Sequence, residues 1–145
     1  INVNANLSST LSGADVLLKA SGNISLGSSK TITTSGGDVT FWSDSDGNGN
    51  GYAQMSTNSS ITTSGGSGGA ITLSGGTDIT TGYARGEATR DTVTEPTYTL
   101  YISGVNLQSG TSLTSGGADI TLRGQNVNTT VSAMAFGVMS AGDHD

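Results

Sequence analysis

Cysteine is absent from the 145-residue sequence, and basic residues are few. Without cysteine, the chain has neither a disulfide framework nor a thiolate metal site. Its five lysine and arginine residues are scattered among eleven acidic ones, and the net charge of −6 leaves no basic patch for nucleic acid or an anionic membrane surface. No apolar run approaches about 18 residues, so no transmembrane helix is predicted. We therefore expect no nucleic-acid partner and no membrane insertion.

Groups suited to covalent or acid–base catalysis are also scarce. The single histidine, His144, lies one residue from the C-terminal end of the sequence, and no fixed base accompanies the many serines. No pair of carboxylates stands out as a general acid and base. The glycine pairs precede no predicted helix, so they do not predict a phosphate-binding loop. We expect no enzymatic activity.

A repeated phrase dominates what is present. TITTSGGDVTFWSD at 31–44 returns as SITTSGGSGGAITLSG at 60–75 and as SLTSGGADITLRG at 112–124, with a degenerate copy, TLSGADVLLKA, at 10–20. Each copy is typical of a β-strand, a glycine corner and a second β-strand. Such repetition predicts stacked units that each bury one face against a neighbour. A β-sandwich would also show alternation and glycine-rich turns, but it gives no reason for the corner to repeat.

The corners divide the chain into one domain of about five coils, roughly 1–14, 15–37, 38–69, 70–117 and 118–145. Because successive strand residues face opposite sides, aligning the copies predicts which side chains point inward. The inward apolar columns are Val16, Val39, Ile71 and Ile120; Leu18, Phe41, Leu73 and Leu122; and Leu11, Ile32, Ile61 and Leu113. We predict an all-β parallel β-helix (a β-solenoid), whose thin core suits a hydrophobic content of only 32%.

Open strand edges at the ends of such a block invite further pairing. We expect the chain to be a fragment or repeat unit of a longer protein. Its expected partners are adjacent coils or copies of itself, stacked end to end.

Two insertions leave the minimal coil after the same predicted strand, one after Trp42 and one over residues 77–98. Loops that leave a solenoid on one flank often form its binding face. Aromatic rings suit the faces of sugars, so an alternative function is a carbohydrate-binding β-helix; cleavage is less favoured because no acid and base pair accompanies the rings. The candidate ligand-binding residues on this flank are Trp42, Tyr52, Tyr83, Arg85, Arg90 and Tyr98.

The segment DSDGNGNG at 44–51 fits part of a calcium-loop pattern. Oxygen-bearing side chains occupy its first, third and fifth positions, and Gly49 occupies the sixth, where the chain turns sharply. Met55 stands at the twelfth position, where a bidentate glutamate is expected. The segment therefore predicts either a Ca²⁺ site, with Ca²⁺ as a cofactor, or an ordinary exposed turn. The candidate metal ligands are Asp44, Asp46, Asn48 and Asn50.

Other polar side chains recur at regular positions. Asp15, Asp38 and Asp119 precede one inward column, and we expect each to hydrogen-bond its own glycine corner. Outward threonines are either ordinary strand residues or a small ice-binding face; they are Thr40, Thr72 and Thr121 in one column and Thr33, Thr62 and Thr114 in another. Four sequons permit glycosylation in a secretory compartment, at Asn6, Asn23, Asn58 and Asn128.

The segments GADVLLKASGNISLGSSKTITTSGGDVTFWSDSDGNGNG, GGAITLSGG and SGGADITLRGQ resemble the β-helical repeat region of filamentous haemagglutinin-like bacterial exoproteins, adhesins exported by two-partner secretion. The resemblance covers most of the chain outside the 77–98 insertion. It implies a right-handed parallel β-helix, an extracellular or bacterial cell-surface location, and a role as a structural segment of an adhesin or extracellular filament. Host or environmental glycans would then be further partners.

Overall fold

The computed structural model describes residues 1–89, 100–126 and 133–140. In these residues the chain forms strands and turns and no helix, so no membrane-spanning helix is found among them. The strands are β1 (Asn2–Val3), β2 (Leu7–Ser12), β3 (Val16–Lys19), β4 (Ile24–Leu26), β5 (Thr31–Ser35), β6 (Val39–Ser43), β7 (Ala53–Met55), β8 (Ser60–Thr62), β9 (Ile71–Gly75), β10 (Ala84–Arg85), β11 (Ala88–Thr89), β12 (Leu100–Leu107), β13 (Ser112–Thr114), β14 (Ile120–Leu122), β15 (Gly124–Gln125) and β16 (Ala133–Ser140).

Three parallel sheets contain most of these strands. Sheet A joins β1, β4, β7, β12 and β16 in that order, and β11 pairs antiparallel with β12. Sheet B joins β2, β5, β8 and β13, and sheet C joins β3, β6, β9 and β14. A two-stranded parallel pair, β10 and β15, lies outside them. The chain passes repeatedly from A to B to C, a path compatible with a β-solenoid, and the predicted all-β class with parallel stacking is confirmed.

The core consists of apolar columns produced by in-register pairing. Ile71 pairs with Val39 on one side and Ile120 on the other, and Phe41 lies between Leu18 and Leu73. These two predicted columns are confirmed. Their central members are fully buried, and each buried side chain of this size contributes about 1.5–3 kcal/mol. Ile120 is 44% exposed, since β14 is the outermost described strand of sheet C.

The third column contains a correction. Leu7 pairs with Ile32, whereas Leu11, the residue predicted to fill that position, is 72% exposed. The pairing of β2 with β5 shifts register between Ser9 and Ser12, so two residues are inserted before the corner. Counting back from the glycine corner at a period of two therefore reaches the wrong leucine. The remaining members, Ile32, Ile61 and Leu113, pair in register.

Aspartates at the corners link neighbouring strands of sheet C. The backbone N–H of Asp38 donates to Asp15 Oδ1 (2.8 Å), and that of Ala70 donates to Asp38 Oδ1 (2.8 Å). The expectation that Asp15 and Asp38 each hydrogen-bond their own glycine corner was wrong for both. Where the chain bends, the amide of the next strand lacks an opposing backbone carbonyl, and the aspartate oxygen satisfies it.

Buried hydroxyls close the corners between sheets B and C. Thr34 and Thr63 are each almost fully buried, and each lies one residue after an outward threonine of sheet B. Their hydroxyls, and that of Ser115 at the equivalent place, donate to carbonyls on the far side of the corner. The pairs are Thr34 with Gly37, Thr63 with Gly69, and Ser115 with Ala118.

Successive corners approach so closely that side chains are excluded. A Cβ on Gly37 would overlap the Ala14 carbonyl, and one on Gly69 would overlap the Gly37 carbonyl. Neither glycine has a positive φ, so the requirement for glycine here is one of space. This contact gives a physical reason for a glycine at these positions of the repeated phrase.

Candidate functional site

The chain varies most where it passes from sheet C to sheet A. Between a strand of sheet C and the next parallel strand of sheet A the chain spans residues 20–23, then 44–52, then 76–99, and the last of these stretches includes β10 and β11. The two longer links meet, because the N–H of Gly51 donates to the Arg85 carbonyl and the N–H of Arg85 donates to the Gly51 carbonyl (2.8 Å). The methyl Cγ2 of Thr77 lies 2.7 Å from where a Cβ on Gly47 would be. Their described residues therefore form one continuous surface, which we call the insertion flank.

Trp42 anchors part of this flank. Its indole Nε1 donates to the Gly76 carbonyl (2.6 Å), and Lys19 Nζ lies 3.6 Å from the ring centroid. The hydrogen bond holds the start of the 76–99 link against β6, and the cation–π contact covers one face of the ring. Trp42 therefore makes contacts within the protein that its predicted role in sugar binding does not require.

The other predicted flank residues have different surroundings. Tyr83 is 44% exposed, and Tyr52 is half-buried beside the Gly51 bridge. Arg85 Nε donates to Gln125 Oε1 (2.9 Å), which ties β10 to β15. The structure therefore brings Trp42, Tyr52, Tyr83 and Arg85 to the same flank. The predicted residues Arg90 and Tyr98 lie outside the described residues.

A groove of about 280 Å³ lies on the outer face of sheet C. Three outward threonines on adjacent strands line it, in the column predicted from alternation. The turn at 76–82 forms another part of its lining, and a guanidinium directly after β14 completes it. The lining residues are Thr40, Thr72, Thr121, Ile79, Thr80 and Arg123.

The turn beside the groove is fixed by polar contacts. Ser74 Oγ donates to the Gly82 carbonyl (2.9 Å), which draws the two ends of the turn together. The Asp78 carboxylate accepts hydrogen bonds from Thr80 N (2.8 Å), Thr80 Oγ1 (2.7 Å) and Thr81 Oγ1 (3.2 Å). These bonds, the one from the Thr80 hydroxyl first, lower the pKa of Asp78 below its usual value. The turn therefore carries a negative charge at neutral pH.

The groove offers hydroxyls, one apolar side chain and one cation. Within the described residues, no side-chain hydrogen bond or ion pair occupies the guanidinium of Arg123, whereas Arg85 is bonded to Gln125. A planar guanidinium suits a carboxylate or a pair of neighbouring hydroxyls. The sequence-based prediction missed Ile79, Thr80 and Arg123 as lining residues. Alternation along 121–123 indicates that Arg123 faces outward with Thr121, but no pattern predicts the turn that folds over them.

Hydrogen bonds to side-chain oxygens fix the conformation of the loop at 44–52. Asp44 is fully buried, and its Oδ1 accepts hydrogen bonds from Gly49 N (2.9 Å) and Asn50 N (3.2 Å). Asp46 and Asn48 are exposed, and Asn48 Nδ2 donates to Asp46 Oδ2 (2.8 Å). No three His, Cys, Asp or Glu side chains in the described residues are grouped to hold a metal ion. A cation here would need amide or carbonyl oxygens as well as carboxylates.

Two of the sequon asparagines accept backbone hydrogen bonds through their side-chain oxygens. Asn6 Oδ1 accepts a hydrogen bond from Thr31 N (3.1 Å), and Asn23 Oδ1 accepts one from Tyr52 N (3.1 Å). Asn58 is exposed at a positive φ of 59°. Glycosylation at all three stays a prediction, and Asn128 lies outside the described residues.

Comparison with models of known families, with curated proteins and with solved structures finds no match to this chain.

Proposed function

We propose that the chain is a structural segment of a secreted bacterial surface adhesin or extracellular filament, built as a right-handed parallel β-helix of about five coils. The observation that best supports this proposal is the register of three parallel sheets, in which like apolar residues stack along one direction. In such a frame each coil buries the apolar face of its neighbour, so the frame can be extended by adding coils. Its function would be to provide length and stiffness.

The edge of sheet C favours the attachment of a further coil. The amides of Val16, Val39 and Ile71 each donate to the carbonyl of the residue directly before the next strand in the sheet. The equivalent amide of β14 belongs to Ile120, on the outermost described strand, and the Ile120 side chain is 44% exposed. An edge strand with an exposed apolar side chain is a template for pairing. We propose that copies of the chain, or adjacent coils of a longer chain, occupy this edge.

Sedimentation velocity over a concentration series, with negative-stain microscopy, tests the stacking. We expect the average mass to rise with concentration and rods to form. Ile120→Lys places a charge on the edge and should weaken association at least tenfold, by about 1.4 kcal/mol or more. Thr33→Lys adds the same charge at an exposed position inside sheet B and should leave association unchanged. A wild-type chain that stays monomeric at the highest concentration would refute stacking between copies.

Location outside the cell belongs to the same proposal. On intact source cells, added protease should cleave the protein while leaving cytoplasmic markers whole. Protection of the protein until the cells are lysed would contradict this location.

A second candidate function, carbohydrate binding, is favoured by the groove on sheet C. Hydroxyls about 4.8 Å apart on successive strands, together with the Arg123 guanidinium, could hydrogen-bond to an oligosaccharide that carries a carboxylate. Calorimetry with uronic-acid oligosaccharides, neutral oligosaccharides and acetate would separate sugar recognition from simple anion binding. We expect Arg123→Gln to weaken binding of the acidic sugars and Arg85→Gln, with the same charge change, to leave it intact. If Arg85→Gln weakened binding and Arg123→Gln did not, the site would lie among the aromatic residues of the insertion flank. A reducing-sugar assay would detect cleavage.

The ice-binding alternative now depends mainly on sheet B. The outward column of sheet C lines the groove beside Ile79 and Thr80, so it is not a flat surface. Thr33, Thr62 and Thr114 pair in register and remain at least partly exposed. A measurement of thermal hysteresis tests this face, and its absence would eliminate the alternative.

A further inference from the structure

The loop at 44–52 contains a buried carboxylate oxygen without a partner. Asp44 is 0% exposed, and its Oδ2 has no hydrogen-bond partner among the described residues. A charged oxygen removed from water is strongly unfavourable unless a cation or hydrogen-bond donors compensate it. The unpartnered oxygen of Asp44 is therefore suited to a cation as its partner.

The orientation of the Asp44 carboxylate indicates where such a cation would bind. Oδ1 accepts the amides of Gly49 and Asn50, five and six residues further along the chain. The loop thus folds back over Asp44, and two hydrogen bonds fix the plane of the carboxylate while using only one of its oxygens. Oδ2, on the same carboxylate, stays buried and has no partner among the described residues.

Further side chains with oxygen atoms that could bind a cation follow at alternate residues. The Asp46 carboxylate accepts the side-chain amide of Asn48 (2.8 Å), and Asn48 Oδ1 accepts the backbone amide of Asn50 (2.9 Å). Asp46, Asn48 and Asn50 are all exposed. Their hydrogen bonds are open to water, so a cation can replace them more readily than it could replace buried ones.

We propose that this loop binds Ca²⁺, with Asp44 Oδ2 as the anchoring ligand and the Asp46 carboxylate and loop amide or carbonyl oxygens completing the coordination. Ca²⁺ accepts six to eight oxygens in irregular geometry, whereas Mg²⁺ requires a near-ideal octahedron. Two carboxylates, with Met55 in place of the bidentate glutamate, predict a Kd of about 10⁻⁴–10⁻³ M, in the range of extracellular calcium modules. Because Gly51 and Arg85 share two backbone hydrogen bonds, Ca²⁺ would also stiffen the insertion flank.

Terbium luminescence tests the site directly on the chelator-treated chain. The single tryptophan, Trp42, lies two residues before Asp44 and can sensitise a lanthanide bound in the loop. We expect Tb³⁺ luminescence excited through Trp42 to rise on titration and to be displaced by Ca²⁺ at lower concentration than by Mg²⁺. Saturating Ca²⁺, at about 10 mM, should raise the thermal midpoint by about 5 °C. No displacement and no shift, or equal competition by Mg²⁺, would overturn the proposal.

Matched variants separate the loop from general charge effects. Asp44→Asn keeps the side-chain shape but removes the charge, and we expect Ca²⁺ affinity to fall at least tenfold. Asp119→Asn makes the same change at an exposed carboxylate outside the loop and should bind Ca²⁺ like the wild type. Should Asp44→Asn fail to fold, the exposed Asp46→Asn variant should still weaken binding by about tenfold or more, because it removes a charged ligand. Wild-type affinity in the folded loop variants would refute the site.

Discussion

The close approach of successive corners makes Gly37 a sensitive position. In a Gly37→Ala variant the added Cβ would overlap the Ala14 carbonyl and lie 2.9 Å from Ala14 N, so the first two corners must separate. Overpacking of this kind costs about 1–3 kcal/mol. Separation would also strain the hydrogen bonds from Asp38 N to Asp15 Oδ1 and from Val16 N to the Asp38 carbonyl, worth about 1 kcal/mol each. We expect a total loss of about 2–4 kcal/mol in the free energy of unfolding.

Gly22→Ala provides the matched control for this prediction. A Cβ there would meet only the Asn50 carbonyl oxygen at 3.9 Å, an ordinary contact, and Gly22 has no positive φ. Its unfolding free energy should change by less than about 1 kcal/mol and can rise slightly. Urea denaturation followed by Trp42 fluorescence and circular dichroism would measure both variants. Because stacked repeats open from their ends, amide exchange should rise more in residues 7–19 than in residues 60–75. Equal stability of the two variants would refute the steric argument.

Three further predictions concern the core, the corners and the turn beside the groove. Phe41→Ala removes a fully buried ring and should lower the free energy of unfolding in urea by about 3–5 kcal/mol. Leu17→Ala truncates a side chain that is 58% exposed and should lower it by less than about 0.5 kcal/mol. Similar values for both variants would contradict the inward and outward faces assigned to sheet C. Thr63→Val keeps the side-chain volume but removes the hydroxyl that donates to the Gly69 carbonyl. We expect the free energy of unfolding to fall by about 1–3 kcal/mol in the same assay. An unchanged unfolding midpoint would count against a structural role for that hydrogen bond. The pKa of Asp78 is lowered in the folded chain, so its contribution to stability should be complete above about pH 5 and decline as the pH falls through the folded pKa. Carboxyl NMR titration should place the Asp78 midpoint below that of an unfolded reference peptide, and a midpoint at or above the reference would contradict the hydrogen bonds of the turn.

The parts of the fold that could be predicted from the sequence are those set by period and repetition. The columns through Ile71 and Phe41 follow from the alternation of strand residues after a recurring corner. Leu11 could not be assigned in this way, because the irregularity in β2 breaks the period without leaving a sequence signal. Local rules also misplaced the bonds of Asp15 and Asp38, since their acceptor oxygens serve amides 23 and 32 residues away.

The same distinction between local and long-range features applies to the candidate sites. The oxygen spacing of the 44–51 segment is local, so Asp44 and its neighbours could be singled out from the sequence. The burial of Asp44 and the isolation of its Oδ2 depend on packing of the whole loop and could not. The groove on sheet C is equally non-local: it forms because the 76–82 turn folds beside threonines on three different strands.

The variable link from sheet C to sheet A has a consequence for engineering. Its length changes from 20–23 to 44–52 to 76–99, while the strands on either side keep their parallel register. Lengthening a flexible loop costs only about 0.6 kcal/mol per doubling, whereas a one-residue slip would turn a whole apolar column to solvent. Peptide epitopes grafted at this corner would therefore be displayed at defined intervals on a rigid support, with their lengths chosen almost independently of the support itself.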